Sequence, residues 1–362
     1  MKVNRRFLHD FDFVYLFTSL GIAACGVLAI YSVGEKGLWV KQVVWIGCGL
    51  VLMGFAMWDY HKLIRFSPIF YAVTIVMMIV VILHGKVVNG ANAWLAIGGF
   101  GFQPSELAKI ATIMTLTFYL TKKKDPSAPM TIKEMIIGGA IVLFPIAVIM
   151  GQHDMGTALT FFPFLFVMFF LSGMRWWIVL AIFLMIPFAL VGTYKYVLKD
   201  YQKQRIAAII WPDSVDPRGY GYHTIQSKVA IGSGGLFGKG LKHGTQSQLR
   251  FLPEPQTDFI AAAFGEEMGF AGIMIVLGLI LFWLLRAIQI AQLSRDRMGM
   301  MMIMGLVTLF FAHVITNLGM VVGFMPVLGI PLPLMSYGGS SIFSTFIGIG
   351  LILNVRLHRF VN

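Results

Sequence analysis

Charge is scarce in this chain. Only 12% of its 362 residues are Asp, Glu, Lys or Arg, against 58% hydrophobic ones. A water-soluble domain carries about twice that share of charge, so a soluble fold is excluded. Acidic residues are scarcer still, 16 against 28 basic ones. There are two cysteines, Cys25 and Cys48, both inside apolar runs. They lack a metal-ligand spacing and say little about redox compartment. No internal repeat, heptad or low-complexity tract is visible. The one glycine-rich stretch with a lysine, Gly232 to Gly240, lacks the Walker spacing. No glycine stands five residues before Gly238, and no Ser or Thr follows Lys239.

Long apolar runs fill the space that charge leaves. Runs of about twenty such residues, enough to cross a bilayer as helix, recur along the whole length. They predict an all-α polytopic membrane protein of about ten transmembrane helices, near 11–32, 38–58, 66–84, 105–121, 135–151, 156–173, 176–194, 259–286, 300–324 and 338–355. The chain reads as a single membrane domain over 1–362, with one large loop over 195–258 between helices 7 and 8. Placing both termini in the cytoplasm puts fifteen Lys and Arg residues on that side and three in the short outer loops, as the positive-inside tendency requires. The large loop then lies outside the cytoplasm. It carries nine basic and five acidic residues, which suits an anionic ligand or lipid headgroups. The positive balance is thus accounted for by topology and this loop, and nucleic acid is not expected as a partner.

Ionisable groups are costly within hydrocarbon, so those at span ends are the candidates for chemistry. Span 4 opens on Gln103-Pro104-Ser105-Glu106 and continues to Lys109. Span 6 follows His153-Asp154. Span 8 follows Thr257-Asp258 and contains Glu266-Glu267. Span 10 follows Ser336-Tyr337-Gly338-Gly339-Ser340-Ser341. In the assigned orientation these four spans start on the outer side, where helix N-termini expose N–H groups and partial positive charge suited to a phosphorylated ligand. Glu106 and Lys109 share a helix face, either as a self-neutralising pair or as a phosphate grip. Asp154 is placed to cap its helix, with or without a ligand role. Thr257 is a plausible N-cap, which would set Asp258 in the first turn as an ionised base. For Glu266 and Glu267, a proton relay or structural hydrogen bonding is open. Lys239 and Lys242 suit a pyrophosphate or a turn-rich loop. Residues 194–211 suit an amphipathic helix at the membrane interface.

Several of these motifs together resemble one family. QPSELAK (103–109), HDMGTA (153–158), GYHTIQSKVAIGSGGLFGKG (221–240), GTQSQL (244–249), FLPEPQTDFI (251–260), GEEMG (265–269) and GIPLPLMSYGGSS (329–341) are similar to the SEDS family (shape, elongation, division and sporulation). The likeness is greater to its elongation members than to its division members. It implies a ten-helix enzyme of the bacterial inner membrane, a peptidoglycan glycosyltransferase that polymerises lipid II. The expected partners are lipid II, undecaprenyl-pyrophosphate-linked glycan, membrane lipids and a class B penicillin-binding protein. Asp258 maps onto the family's essential aspartate. Glu106, Lys109, Asp154, Arg205, Lys239, Ser336 and Ser340 are the expected substrate contacts, with a divalent cation such as Mg or Mn as a possible aid. Two positions depart from many relatives: Ala93 precedes Trp94, and Gln256 stands where a His is common. A flippase for lipid-linked precursors is the alternative from another class.

Overall fold

The computed structural model describes residues 11–88, 91–97, 100–122, 128–196, 203–204, 207 and 221–358. These form an all-α polytopic membrane fold with one small sheet. Seven helices are long and apolar enough to cross a membrane: α1 (Phe13–Val33), α2 (Leu38–Ala56), α3 (Tyr60–His84), α5 (Ile132–Gly151), α11 (Ile260–Gln292), α12 (Arg297–Val322) and α13 (Gly339–Leu357). The other expected spans correspond to α4 (Pro104–Thr121), the pair α6 (Met155–Leu159) and α7 (Phe161–Leu171), and α8 (Trp176–Tyr196). Two shorter helices, α9 (Tyr222–Ser233) and α10 (Thr245–Gln248), lie in the segment before α11.

Most of α12 and α13 is buried, whereas α2 is largely exposed. The outward faces carry residues such as Phe17, Phe55 and Leu83, the surface expected of helices solvated by lipid rather than water. Close approach of backbones builds the centre. The α-carbon of Gly350 on α13 lies so near Met53 on α2 that a methyl group there would collide with backbone, a small-residue contact typical of membrane helices.

Local chemistry sets the helix ends. Asp12, Asp59 and Asp296 accept from the first-turn amides of α1, α3 and α12, and Thr131 and Glu134 form a capping box on α5, satisfying N–H groups that a helix start leaves over. The single expected span over 156–173 is instead two helices meeting at Thr160. Pro163 explains the break: it has no N–H, and its ring crowds the carbonyl four residues back, at Leu159. A three-stranded antiparallel sheet was also not anticipated. Its strands are β1 (Lys86–Val88), β2 (Ala91–Ile97) and β3 (Phe100–Phe102), with Lys86 opposite Trp94 and Leu95 opposite Phe102. Asn92 ties it to the bundle, its N–H to the Gln152 carbonyl and its amide to the Ile82 carbonyl. Strand β3 then delivers Gln103 to the start of α4.

The largest departure from a plain bundle is in α11, which is interrupted at Gly269 (φ 69°, ψ −171°), a conformation natural only to glycine. The opened helix pairs with the glycine-rich segment before it. Lys239 and Gly240 donate their N–H groups to the carbonyls of Glu266 and Glu267, at 3.1 and 2.9 Å. Phe270 and Ala271 donate to Gly235 and Leu236, at 2.9 and 3.0 Å. The backbone groups released by the break are thereby satisfied, which the membrane edge demands. A side chain on Gly238 would strike the Glu267 carbonyl. Gly234 and Gly238 serve close packing, and Asp258 stands at the head of the short half-helix so held.

Candidate functional site

Four helix N-termini are linked by hydrogen bonds at one end of the bundle. Gln103, the N-cap of α4, donates its backbone N–H to Ser340 Oγ in the first turn of α13 (2.9 Å). Its side-chain amide reaches Asp154 Oδ2 (3.1 Å). Asp154 caps α6 through Thr157 N (3.0 Å) and also accepts from Thr157 Oγ1 (2.8 Å). Gly156 packs so closely under the Leu328 carbonyl that no side chain fits, and the next residue, Gly329, lies beside the Asp258 carboxylate. Ser336 Oγ donates to the Thr257 carbonyl (2.6 Å) and accepts from Leu332 N (2.8 Å). The Tyr337 N–H meets the Gln256 carbonyl at 2.8 Å. The loop 324–338 is therefore the hub joining the starts of α6, α11 and α13.

Asp258 is half-buried. Its backbone carbonyl accepts from Asn317 Nδ2 (2.9 Å), and the same amide donates to the Ile330 carbonyl (2.8 Å). Asn317 on α12 thus pins Asp258 against the hub loop. The expected N-cap at Thr257 is corrected: α11 starts at Ile260 with Phe259 as its N-cap. Thr257 Oγ1 turns back to Glu254 instead. Asp258 precedes the helix by two residues, still on the positive side of its dipole. His223 of α9 lies against the Phe259 ring, with centroids 6.1 Å apart.

Below this rim lies a buried ion pair. Glu106 and Lys109 are 4% and 2% exposed and 2.7 Å apart. Ser344 Oγ on α13 donates to the second Glu106 oxygen (3.0 Å), and His313 Nε2 on α12 lies 3.0 Å from Lys109 Nζ. The pair thereby joins α4, α12 and α13. Desolvating two charges is tolerated only when they are paired and hydrogen-bonded, as here.

Lys239 lies in a different network. Its ammonium donates to Ser233 Oγ (2.7 Å), Thr245 Oγ1 (2.8 Å) and Glu266 Oε1 (2.8 Å). Glu266 is fully buried. It also accepts from Thr245 Oγ1, from the backbone of Gln246 and Ser247, and from Ser247 Oγ. Glu267 binds Ser32 Oγ of α1 and Lys242 N. Of the two roles open from sequence, the geometry is that of structural hydrogen bonding: these carboxylates hold the loop against the broken helix. Changing Glu266 to Gln should strand the Lys239 charge and lower the melting temperature of the purified protein. The companion change of Lys239 to Met should recover part of the loss. An unchanged melting curve for Glu266→Gln would remove this latch.

The structure thus brings Asp258, Asp154, Ser336 and Ser340 to one rim, with Glu106 and Lys109 beneath it, and sets Lys239 apart. Arg205 lies outside the described residues, as does most of 194–211. Three contributors were missed in the sequence: His313, Asn317 and Ser344. His313 and Asn317 are polar groups inside an apolar span, the same signal that singled out Lys109. Among the described residues no three His, Cys, Asp or Glu side chains group closely enough to hold a metal ion.

The chain that builds this rim is similar over nearly its whole length to a known family of membrane proteins. Residues 10–360 match the family model described as cell cycle protein, FtsW/RodA/SpoVE, and the chain belongs to that family. It is 37% identical to peptidoglycan glycosyltransferase MrdB of Escherichia coli (strain K12), over 96% of this chain and 94% of that protein. It is 35% identical to peptidoglycan glycosyltransferase RodA of Treponema pallidum (strain Nichols), over 98% and 99%. Among solved structures, a chain from a peptidoglycan synthase complex that coordinates polymerization and crosslinking superposes with a TM-score of 0.82, at 30% identity over 97% of this chain and 99% of that one. Rod shape determining protein RodA of Thermus thermophilus superposes at 0.73, with 26% identity over 97% and 98%.

Proposed function

We propose that this chain is a peptidoglycan glycosyltransferase of the bacterial inner membrane, polymerising lipid II into glycan strands on the outer face during cell elongation. The observation that carries the reading is Asp258, its backbone carbonyl held by Asn317 and its carboxylate half-buried at the meeting point of helix N-termini. The family and the names of the full-length relatives support it.

The donor is a glycan whose muramic sugar is joined to undecaprenyl pyrophosphate. The acceptor is lipid II, through the 4-hydroxyl of its glucosamine. Asp258 takes the hydroxyl proton as that oxygen forms a bond to the anomeric carbon, and the bond from that carbon to the diphosphate breaks. Attack opposite the leaving group inverts the centre and gives a β link. The departing diphosphate carries negative charge. The N-termini of α4, α6 and α13 and the buried Lys109 offer it positive potential in a low-dielectric setting, where preorganised donors act most strongly. Ser336 and Ser340 hold the hub that shapes this rim, and Asp154 orients Gln103 within it. Lys239 supports the site by locking the half-helix behind Asp258. A magnesium or manganese ion would bring Lewis acidity to the diphosphate. Such ions commonly take one or two carboxylates plus phosphate oxygens, and Asp258 and Asp154 are the rim carboxylates they would meet. A class B penicillin-binding protein is the expected partner, in keeping with the synthase complex that contains the chain of highest TM-score reported above.

Reconstitution of the purified chain and this partner in vesicles with labelled lipid II separates the readings. Glycan strands resolved on a gel are the expected result. Labelled lipid that crosses the bilayer without any strand forming would replace the polymerase by a flippase.

A further inference from the structure

His313 is an ionisable residue in the middle of an apolar helix, 5% exposed. Residues of this kind within a membrane span usually serve function. Its Nε2 lies 3.0 Å from Lys109 Nζ. An ammonium can only donate, so Nε2 accepts, and the ring is the neutral tautomer with its proton on Nδ1. The ring lies beside Pro331 of the hub loop, two positions from Gly329. The charged groups facing the ring are Lys109 and Glu106, both from α4. From α13 comes the Ser344 hydroxyl on Glu106, and from the hub loop the Pro331 carbonyl.

The consequence is directional. An ammonium has three N–H bonds at tetrahedral angles. Glu106 Oε1 takes one, and Glu106 is itself held through its other oxygen by Ser344. His313 takes the second. With two directions fixed, so is the third, which among the described residues has no acceptor. A lysine held by Glu106 alone would have one restraint on rotation about Cε–Nζ in place of two.

We propose that His313 is the positioning residue of the glycosyl transfer: its neutral imidazole clamps Lys109 so that the remaining N–H is aimed at a diphosphate oxygen. The inference rests on the reading of Lys109 as a diphosphate contact. It makes His313 a determinant of leaving-group binding that no sugar or peptide contact defines.

The test measures binding of undecaprenyl pyrophosphate to the purified full-length chain in detergent, with melting curves recorded in parallel. His313→Leu should weaken binding about tenfold, the scale of one hydrogen bond to a charged group. His313→Gln, whose side-chain oxygen can accept from Lys109, should stay within about threefold of the parent. The double variant His313→Leu with Lys109→Ala should bind no more weakly than Lys109→Ala alone, because both changes remove one contact. A merely structural role would instead multiply the two losses, and that result overturns the proposal. So does parent-like binding by His313→Leu. If Lys109→Ala itself binds as the parent does, the diphosphate reading of Lys109 falls as well. Weakened Lys109→Ala beside unaffected His313→Leu removes only the clamp.

Discussion

Asp258→Asn should stop glycan polymerisation while leaving a folded, membrane-inserted protein. Asn has nearly the same shape as Asp, and the bond that locates residue 258 runs through its backbone carbonyl to Asn317, not through its side chain. The side chain is half-buried at the rim, beside Gly329. What Asn lacks is a basic oxygen. A positioned general base contributes about 10²–10⁴ in rate, so the loss should fall at or below the detection limit of a lipid II gel assay. Thermal melting and co-purification with the partner protein should match the parent. Polymerisation within tenfold of the parent rate would remove Asp258 as the proton acceptor and leave the helix N-termini as the only catalytic feature of the rim.

The second large effect concerns the buried pair. Glu106→Ala leaves an ammonium that is 2% exposed with only His313 and no countercharge. Lys109→Ala leaves the carboxylate with only the Ser344 hydroxyl. Breaking a buried pair from one side costs about 3–5 kcal/mol, more than the pair itself contributes over an apolar replacement. Each single change should therefore lower stability sharply and abolish polymerisation. The double change, Glu106→Gln with Lys109→Met, removes both charges and should restore much of the melting temperature without restoring activity. That split separates the structural part of the pair from its part in diphosphate binding. A double variant that regains both would make Glu106 and Lys109 a packing device. A Glu106→Ala protein that melts and polymerises like the parent would show that the pair carries no load.

Much of this was readable from residue type and order. The apolar runs locate the helices because lipid leaves no other way to satisfy the backbone. Asp258, Glu106, Lys109 and Asp154 stand out because ionisable groups are rare where they occur. Three features were not readable, each for a physical reason. The break at Gly269 depends on a partner segment about thirty residues earlier whose carbonyls and N–H groups replace the missing helical ones, and an isolated glycine in a span gives no sign of that. The sheet over 86–102 is short and its strands do not alternate cleanly, so its register comes from hairpin closure and from Asn92. The convergence of the four helix starts is tertiary: Gln103 meets Asp154 and Ser340 across 51 and 237 residues of sequence. Lys239 shows the converse case. A lysine among glycines invites a phosphate reading, while its proximity to Glu266 is hidden until the loop folds back.

The splinted break in α11 also bears on how the protein is made. Two adjacent carboxylates, Glu266 and Glu267, sit near the start of a span that must leave the translocon sideways into lipid, and acidic groups oppose that step. Their hydrogen-bond donors come from residues 239–247 and from Ser32, all synthesised earlier. The ribosome therefore supplies the receptors for these charges before the helix that bears them. When this span leaves the translocon, every group that will receive its two charges has already been synthesised.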